Sequence, residues 1–438
     1  MNADPVLLDP FFRRLSQIST WNSSGRVTKS VGHLVESEGP VCSVGDCCEI
    51  ICADGASHPG EVVGFRGRTV LSMPLGSPSG IRFGDRVVTH GEQPALAAGE
   101  GLLGRVIDGA GKPLDSFGSY RAPDYRPIRG SPPHPLERTA IREPLGCGIR
   151  AIDGMLTCGR GQRVGIFGGS GVGKSTLVGM MARGTAADLT VVALVGERGR
   201  EVREFLEESL GEEGRKRSVV VVATSDQSPL LRLRAALAAT AAAEYFASRS
   251  RHVLLVIDSL TRVAMAQREI GLAAGEPPTA KGYTPSVFSL LAQLVERAGH
   301  FGKGSITAFY SLLMEGDDQQ DPLVDAVRAL LDGHIVLDRR LAAQNHYPPI
   351  AVLDSLSRLL TAVCDRPHVE KIYRLRRLLA AYAASEDLIR VGAYQKGADA
   401  VLDQAIAVIP VLHAYLQQTK DEKSTFEEAR TRLLALPG

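Results

Sequence analysis

The sequence has few aromatic residues and almost no net charge. Only 5% of its 438 residues are Phe, Trp or Tyr, and 50 Lys and Arg stand against 49 Asp and Glu. Nucleic acids and anionic membrane surfaces attract an excess of positive charge. Because positive and negative charges nearly cancel, the chain as a whole does not attract either partner electrostatically. Binding of nucleic acid would therefore need a local basic patch.

The chain also lacks an apolar run near the roughly 18 residues needed to cross a bilayer, and it opens without a secretory signal. It has seven cysteines, an odd number, and no CxxC pair. We therefore expect reduced thiols in a cytoplasmic protein whose membrane contacts are peripheral or made through partners. The cluster from Cys42 to Cys52 is compatible with a core strand or a zinc site, and the missing second ligand pair favours the strand.

Length and composition predict two to three domains. Apolar residues make up 44% of the chain and charged residues 23%, which is typical of a globular protein. Residues 1–25 place apolar side chains near helical spacing, and residues 26–95 hold short apolar runs between Gly, Pro and Asp turns, which predicts a small β-barrel. Residues 96–364 form the predicted core, which includes a proline-rich connector at 119–146. Residues 365–438 are predicted to form a small helical domain.

The core region alternates strands with helical stretches. This pattern favours a mostly parallel sheet covered on both faces, and so an α/β fold. The predicted strands are RVGIFG, LTVVALVG, SVVVVAT, HVLLVID and SITAFYSLL. After residue 365, the predicted breaks between helices are Gly392, Gly397 and Pro410.

A phosphate-binding motif follows the first of these strands. GGSGVGKS matches GxxxxGK[ST] in full, between the strand RVGIF and the helix TLVGMMARG. The glycines let successive N–H groups face phosphates at a helix N-terminus, Lys174 should reach the β- and γ-phosphates, and Ser175 offers a hydroxyl to Mg²⁺. The predicted nucleotide-binding residues of this motif are Gly168, Gly169, Ser170, Gly171, Val172, Gly173, Lys174, Ser175 and Thr176.

Two carboxylates follow later strands of the same sheet. Asp258 ends HVLLVID, where a Mg²⁺-organising carboxylate is expected, although an Asp there could instead cap a helix. Glu197 follows LTVVALVG at the same sheet edge, which makes it a candidate general base that orients the attacking water. The alternative for Glu197 is a surface carboxylate among many charges. Together these elements predict ATP hydrolysis.

Longer stretches carry a resemblance to a known family. With the three motifs in this order, GEPPTAKGYTPSVFSLLAQLVERAG and EGDDQQDPLVDAVRALLDGHIVLDRRLA resemble the rotary-ATPase superfamily and, within it, the flagellar protein-export ATPases. GLLGRVIDGAGKPLD and LLVIDSLTRVAMAQREI also look like that family. The resemblance covers about residues 26–410 and implies a RecA-like P-loop core between an N-terminal β-barrel and a C-terminal helical domain, with ATP and Mg²⁺ as substrate and cofactor.

The resemblance also implies roles for single residues. Glu197 matches the glutamate that activates water, and Arg198 the arginine near the γ-phosphate. Arg358, in LDSLSRLL, matches an arginine finger that reaches the neighbouring subunit's site, and Tyr347, in NHYPPIAV, matches the aromatic that packs on adenine. From the sequence alone, Arg358 could equally be a surface ion-pair partner and Tyr347 a core residue. The implied catalytic residues are Lys174, Glu197, Arg198 and Arg358.

A finger that acts in trans implies a homohexameric ring with its sites at subunit interfaces. The family's export role further implies a location at the cytoplasmic face of the inner membrane, export chaperones, substrates and gate as partners, and no nucleic acid. It assigns the apolar stripe of residues 1–20 to a regulatory, stator-like partner, unless that helix packs on its own barrel. This stripe is Leu8, Phe11, Phe12, Leu15 and Ile18.

Four other functions are weighed against this one. A virulence type III secretion ATPase shares every catalytic residue, and a catalytic subunit of a rotary ATP synthase would need a similar partner subunit and an ion-driven rotor. An RNA translocase would need aromatic side chains that stack on bases over a basic groove. The only aromatic residues in the range 26–95 are Phe65 and Phe83. A non-enzymatic scaffold conflicts with the intact catalytic set.

Overall fold

The computed structural model describes residues 23–169, 171–314 and 321–437. The predicted N-terminal helix and Ser170 lie outside the described residues. Within the described ranges, no helix is both long enough and apolar enough to span a bilayer.

Six antiparallel strands near the N-terminus close into a barrel. Inward-facing residues alternate with exposed ones along the strands, and the buried set includes Val27, Val35, Ile50 and Val62. The closed strand order joins the first strand to the sixth. In chain order the strands are Ser23–Val31, Leu34–Glu38, Cys47–Ile51, Ser57–Arg66, Thr69–Pro74 and Arg86–Thr89. The clustered cysteines belong to this barrel, and Cys48 lies in its core.

The core is built on a nine-stranded sheet that is parallel at its centre. The strand before the P-loop motif is flanked by parallel neighbours on both sides. The carboxyl ends of these strands therefore meet at one edge, where ligands bind in such sheets. From one edge of the sheet to the other, the order is Leu356–Ser357, Gly333–Val336, Arg163–Gly168, Gly304–Leu313, His252–Asp258, Leu189–Glu197, Ser218–Thr224 and Val106–Asp108, with Gly299–Phe301 paired to Gly304–Leu313.

Helices cover both faces of this sheet. The longest of them, Pro229–Ser248, is alanine-rich and buried along most of its length, so it packs closely over four strands of the sheet. The helices of the core are Arg150–Met155, Lys174–Gly184, Gly199–Glu204, Gly211–Lys216, Pro229–Ser248, Leu260–Ala274, Pro285–Glu296, Pro322–Leu330, Arg339–Ala343 and Leu360–Val363, with a π-helical segment at Phe205–Leu210. Short 3₁₀ turns lie at Glu100–Leu102, Pro135–Glu137 and Ala280–Gly282.

A buried ion cluster joins the barrel to the core. Glu61, on a barrel strand, is 1% exposed and binds both Arg129 of the connector and Arg234 of the long core helix. Arg234 approaches Glu61 to 2.9 Å. The connector also contains the short strands Asp124–Pro127, which pairs with Ala95–Ala98, and Pro144–Leu145, which pairs with Cys158–Gly159. The barrel is therefore held on the core by buried charge as well as by apolar contact.

Three helices form the C-terminal part of the chain: Arg366–Arg390, Ala400–Leu416 and Phe426–Leu434. The α/β fold with an N-terminal barrel and a C-terminal helical domain is thus confirmed. The prediction that Pro410 breaks a helix is wrong, because it lies inside Ala400–Leu416. Proline costs a helix interior about 3 kcal/mol, and the buried apolar face of this helix, which includes Leu402, Ile409 and Leu412, offsets that cost.

Candidate active site

The P-loop links a buried strand to an exposed helix N-terminus. It runs between Arg163–Gly168 and Lys174–Gly184. Gly171 and Gly173 have φ angles of 77° and 91°, in the left-handed region that glycine adopts without strain. Gly171 is exposed, and both Gly171 and Gly173 line an open cavity beside the loop. Backbone N–H groups and the helix dipole make that space suitable for an anion.

Lys174 points back across this loop. Its side chain is largely buried, and Nζ donates a hydrogen bond of 3.1 Å to the carbonyl oxygen of Gly168. Burial lowers the pKa of Lys174 to about 8, against the opposing effect of the charges on Asp258 and Glu197. The structure therefore places these three predicted residues within electrostatic reach of one another. Ser175 is exposed on the first turn of the helix that Lys174 begins.

Asp258 lies at the carboxyl end of His252–Asp258 and is 4% exposed. Its Oδ1 accepts a hydrogen bond from the hydroxyl of Ser311 on the neighbouring strand. The helix that follows is capped by Ser259, whose Oγ accepts from the backbone N–H of Arg262 at 3.4 Å. The capping alternative for Asp258 is therefore not what the structure shows, and its carboxylate is directed into the site.

Glu197 ends the strand Leu189–Glu197 and is half-buried. Burial, the charge of Asp258 and a hydrogen bond with Glu201 together raise the pKa of Glu197 to about 7. The same bond lowers the pKa of Glu201. A carboxyl group that titrates near neutral pH is suited to general-base work at that pH.

Arg262 is a site residue that the sequence reasoning missed. Its charge lowers the pKa of both Glu197 and Lys174. Its side chain packs over Gly196, where a Cβ would stand 2.9 Å from Arg262 Cγ. Its buried Nε makes no hydrogen bond within the described ranges. The available signal was an arginine one helical turn after Asp258, on a helix that starts at the sheet edge.

Tyr347 borders a cavity of about 920 Å³ beside the P-loop. Tyr347 is 46% exposed, and its Cε1 lies 3.8 Å from where a Cβ on Gly173 would stand. The predicted alternative of a core residue does not describe this side chain, which is exposed beside the P-loop. The cavity is wide enough for a nucleoside. Its other walls come from Arg150, Gly171, Gly173, Thr176, Leu177, Met180, Asn345, Pro348, Pro349, Ala414, Gln417, Gln418, Thr419, Lys420, Glu422 and Arg432.

Arg198 and Arg358 are not brought to the P-loop of their own chain. Arg198 is exposed and pairs with Glu201 at 3.3 Å. The backbone N–H of Arg358 bonds the carbonyl oxygen of Asp332, whose carboxylate binds Arg163. Arg163 and Gly168 are opposite ends of a six-residue strand, roughly 16 Å apart at about 3.3 Å per residue. The exposed Arg358 therefore lies at the far edge of the sheet from its own P-loop.

Comparison with known proteins finds three matching family models. They describe the beta-barrel domain of the ATP synthase alpha/beta family at residues 27–91, its nucleotide-binding domain at 148–357, and the T3SS EscN ATPase C-terminal domain at 364–435. The flagellum-specific ATP synthase of Bacillus subtilis is 50% identical over 97% of both chains. This chain belongs to the ATP synthase alpha/beta family. The prediction of an ATP hydrolase related to the flagellar export enzymes is confirmed.

Relatives on the secretion side of the family are similar at nearly the same level. The type 3 secretion system ATPase of Xanthomonas euvesicatoria is 48% identical over 97% of this chain and 96% of its own. A solved structure of the assembled ATPase EscN with its central stalk EscO, from enteropathogenic E. coli, is 42% identical. It superposes with a TM-score of 0.86 over 93% of this chain and 98% of that chain.

Proposed function

We propose that this family member is the ATPase of a flagellar type III protein-export apparatus and hydrolyses Mg-ATP at the site between Gly168, Glu197 and Asp258. The observation that carries the chemistry is the half-buried Glu197, which faces a buried Lys174 and lies at the same sheet edge as Asp258. ATP hydrolysis needs positioning and charge stabilisation more than covalent chemistry. These groups supply both next to an open anion site.

The residues present also fit a magnesium ion. Mg²⁺ prefers oxygen ligands and retains waters when it binds phosphates. The exposed hydroxyl of Ser175 and the carboxylate of Asp258, directly or through water, would hold the ion. When bound, Mg²⁺ supplies positive charge to the β- and γ-phosphate oxygens.

In the mechanism that we propose, the carboxylate of Glu197 orients a water molecule for in-line attack on the γ-phosphorus. Lys174 and the backbone N–H groups of the P-loop hold the phosphate oxygens, and Arg198 turns from Glu201 toward the γ-phosphate when nucleotide binds. Tyr347 packs on adenine. Because these charged groups are already fixed in position, they stabilise the transition state without reorganising during the reaction.

Arg358 completes the site from the next subunit of a homohexameric ring. Its exposed position at the far edge of the sheet supports this reading, because it cannot serve the P-loop of its own chain. The related EscN has been solved in assembled form with a stalk protein. We propose a similar ring here, with a stator-like regulatory partner at residues 1–20.

In this proposal the ring stands at the cytoplasmic face of the inner membrane, where hydrolysis supports chaperone release and delivery of unfolded substrates to the export gate. A virulence secretion ATPase is the alternative, since a secretion relative is nearly as similar as the flagellar one. The match of the EscN-type C-terminal model disfavours a subunit of a rotary ATP synthase.

Two measurements test this function. Phosphate release from Mg-ATP should rise in specific activity with protein concentration, because the active sites form only on assembly. The chain should also restore swimming to a Bacillus subtilis strain that lacks its flagellum-specific ATP synthase, and a Glu197→Gln variant should not. Restored type III secretion without restored swimming would instead support the virulence alternative.

A further inference from the structure

The arginine finger proposed above follows a two-residue strand at the edge of the core sheet. This strand, Leu356–Ser357, pairs with Gly333–Val336, and Arg358 comes directly after it. Arg358 is exposed, and within the described ranges its guanidinium makes neither a hydrogen bond nor an ion pair. Because two residues supply few ladder hydrogen bonds, the direction of the finger must be set by the other groups that hold its backbone.

Asp332 holds the backbone of the finger and is itself held by Arg163. The N–H of Arg358 donates to the carbonyl oxygen of Asp332 at 2.9 Å. The carboxylate of Asp332 accepts from the backbone N–H, Nε and Nη2 of Arg163, at 3.0, 3.0 and 3.1 Å. The backbone N–H of Asp332 also donates to the carbonyl oxygen of Arg163 at 2.9 Å. Four hydrogen bonds therefore fix the residue that binds the finger's backbone.

A second carboxylate keeps Arg163 in place. Glu296, at the end of the helix Pro285–Glu296, binds Nη1 of Arg163 through one oxygen and Arg138 of the connector through the other, the latter at 2.9 Å. The side chains of Arg163 and Asp332 are 18% and 24% exposed, so solvent screens their attraction only in part. The pair is therefore a fixed support and not a mobile surface contact.

The buried Gln162 fixes the residue that precedes the finger. Its Nε2 donates to the hydroxyl of Ser357 at 3.3 Å and to the carbonyl oxygen of Asp332 at 3.1 Å. Its Oε1 accepts from the N–H of Gly159 at 2.8 Å, so all its side-chain polar atoms are bonded and its orientation is determined. The hydroxyl of Ser357 donates to the carbonyl oxygen of Thr157 at 2.9 Å. Both residues beside the start of the finger are thus anchored to the core.

From this geometry we infer that Asp332, Arg163 and Ser357 are positioning residues, which hold Arg358 in the direction from which it reaches the next subunit's site. The inference rests on the role in trans that is proposed for Arg358. The three residues lie at the sheet edge away from their own P-loop, since Arg163 and Gly168 are opposite ends of one strand. Their loss should therefore impair the neighbouring subunit's site and leave nucleotide binding by the same chain intact.

The test uses mixtures of full-length variants that separate a defect of the finger from a defect of the P-loop. Asp332→Ala should lower kcat for ATP hydrolysis by about 100-fold, since a small misplacement of a reacting group has an effect of that size, and should change ADP affinity by less than about 3-fold. Mixed one-to-one with Glu197→Gln, it should regain activity, because the Glu197→Gln subunits supply intact fingers. Mixed with Arg358→Ala, it should stay at its own low rate, because neither variant supplies one.

Two further variants serve as controls. Asp332→Asn keeps an acceptor for Arg163 and should retain kcat within about 5-fold of the natural chain. Asp124→Ala removes an Asp–Arg pair of the core that is exposed on both sides, with Arg249, and should leave kcat unchanged.

Ser357→Ala takes the place of Asp332→Ala if the latter does not fold, and it should give the same pattern with a smaller loss. Natural kcat in both variants, or recovery with Arg358→Ala instead of Glu197→Gln, would overturn the positioning role, because the second result places the defect in the chain's own P-loop. Recovery in neither mixture would overturn it as well, provided that Glu197→Gln and Arg358→Ala restore each other. If those two do not, the shared site itself is wrong and the positioning role falls with it.

Discussion

Lys174 and Gly168, at the two ends of the P-loop, are joined by a hydrogen bond of 3.1 Å from the ammonium group to the carbonyl oxygen. The bond holds the lysine side chain across the phosphate-binding loop. Burial lowers its pKa to about 8, while burial raises the pKa of Glu197 to about 7. Glu197 acts when deprotonated and Lys174 acts when protonated. Both groups are therefore mainly in their active forms only between about pH 7 and about pH 8.

A bell-shaped pH profile follows for kcat/KM, which reports groups of the free enzyme. As the pH falls through about 7, Glu197 becomes protonated and can no longer orient water, so the rate decreases. As the pH rises through about 8, Lys174 loses its charge and its hold on the phosphates. Steady-state rates between pH 5.5 and 9.5 give the profile. The affinity for ADP should show the alkaline limb alone, and a rate that is flat across this range would contradict both assignments.

Arg262 should affect turnover more than nucleotide affinity. It lies beside Glu197 and Lys174, so its guanidinium is placed to stabilise charge that develops on the γ-phosphate. Removal of one such donor typically lowers kcat by about 100- to 1,000-fold. We expect a loss of that size for Arg262→Ala, with ADP affinity changed by less than about 3-fold, as measured by single-turnover kinetics and calorimetry. A loss of ADP binding without a loss of turnover would contradict this role of Arg262 in the transition state.

Gly196→Ala should displace Arg262 without touching the nucleotide. The new Cβ would stand 2.9 Å from Arg262 Cγ, and the φ angle of 72° is unfavourable for alanine by about 1–2 kcal/mol. We expect a lower kcat and a lower thermal midpoint. Gly199→Ala is the control, because no atom lies within 4 Å of a Cβ there. Similar activities for the two variants would contradict the contact.

The ion cluster at Glu61 should contribute strongly to stability. Glu61→Ala leaves the buried guanidinium of Arg234 without its partner, which typically costs about 3–5 kcal/mol. Urea unfolding followed by circular dichroism should show this loss in the first transition. Glu212→Ala removes an exposed pair with Lys216 and should have no measurable effect. Equal stability of the two variants would mean that apolar contact alone holds the barrel on the core.

Much of the fold could be predicted from local sequence, for identifiable reasons. The P-loop motif, Glu197 and Asp258 each follow an apolar strand directly, and parallel strands bring their carboxyl ends to one edge. Local pattern does not reveal contacts between distant segments. Arg150 and Gln418 are 268 residues apart, and nothing in either stretch marks them as partners. Pro410 shows a second limit of local patterns. Proline disfavours a helix interior, but the buried contacts of Ala400–Leu416 keep Pro410 within that helix.

The central claim is that each active site is shared between two copies of the chain. It is tested most directly by mixing Glu197→Gln, which lacks the base, with Arg358→Ala, which lacks the finger, and measuring ATP hydrolysis. Each variant alone should be inactive while still binding ADP, and a one-to-one mixture should regain activity, because some interfaces then combine an intact Glu197 with an intact Arg358. Full activity of Arg358→Ala alone, or a mixture as inactive as its parts, would contradict the shared site.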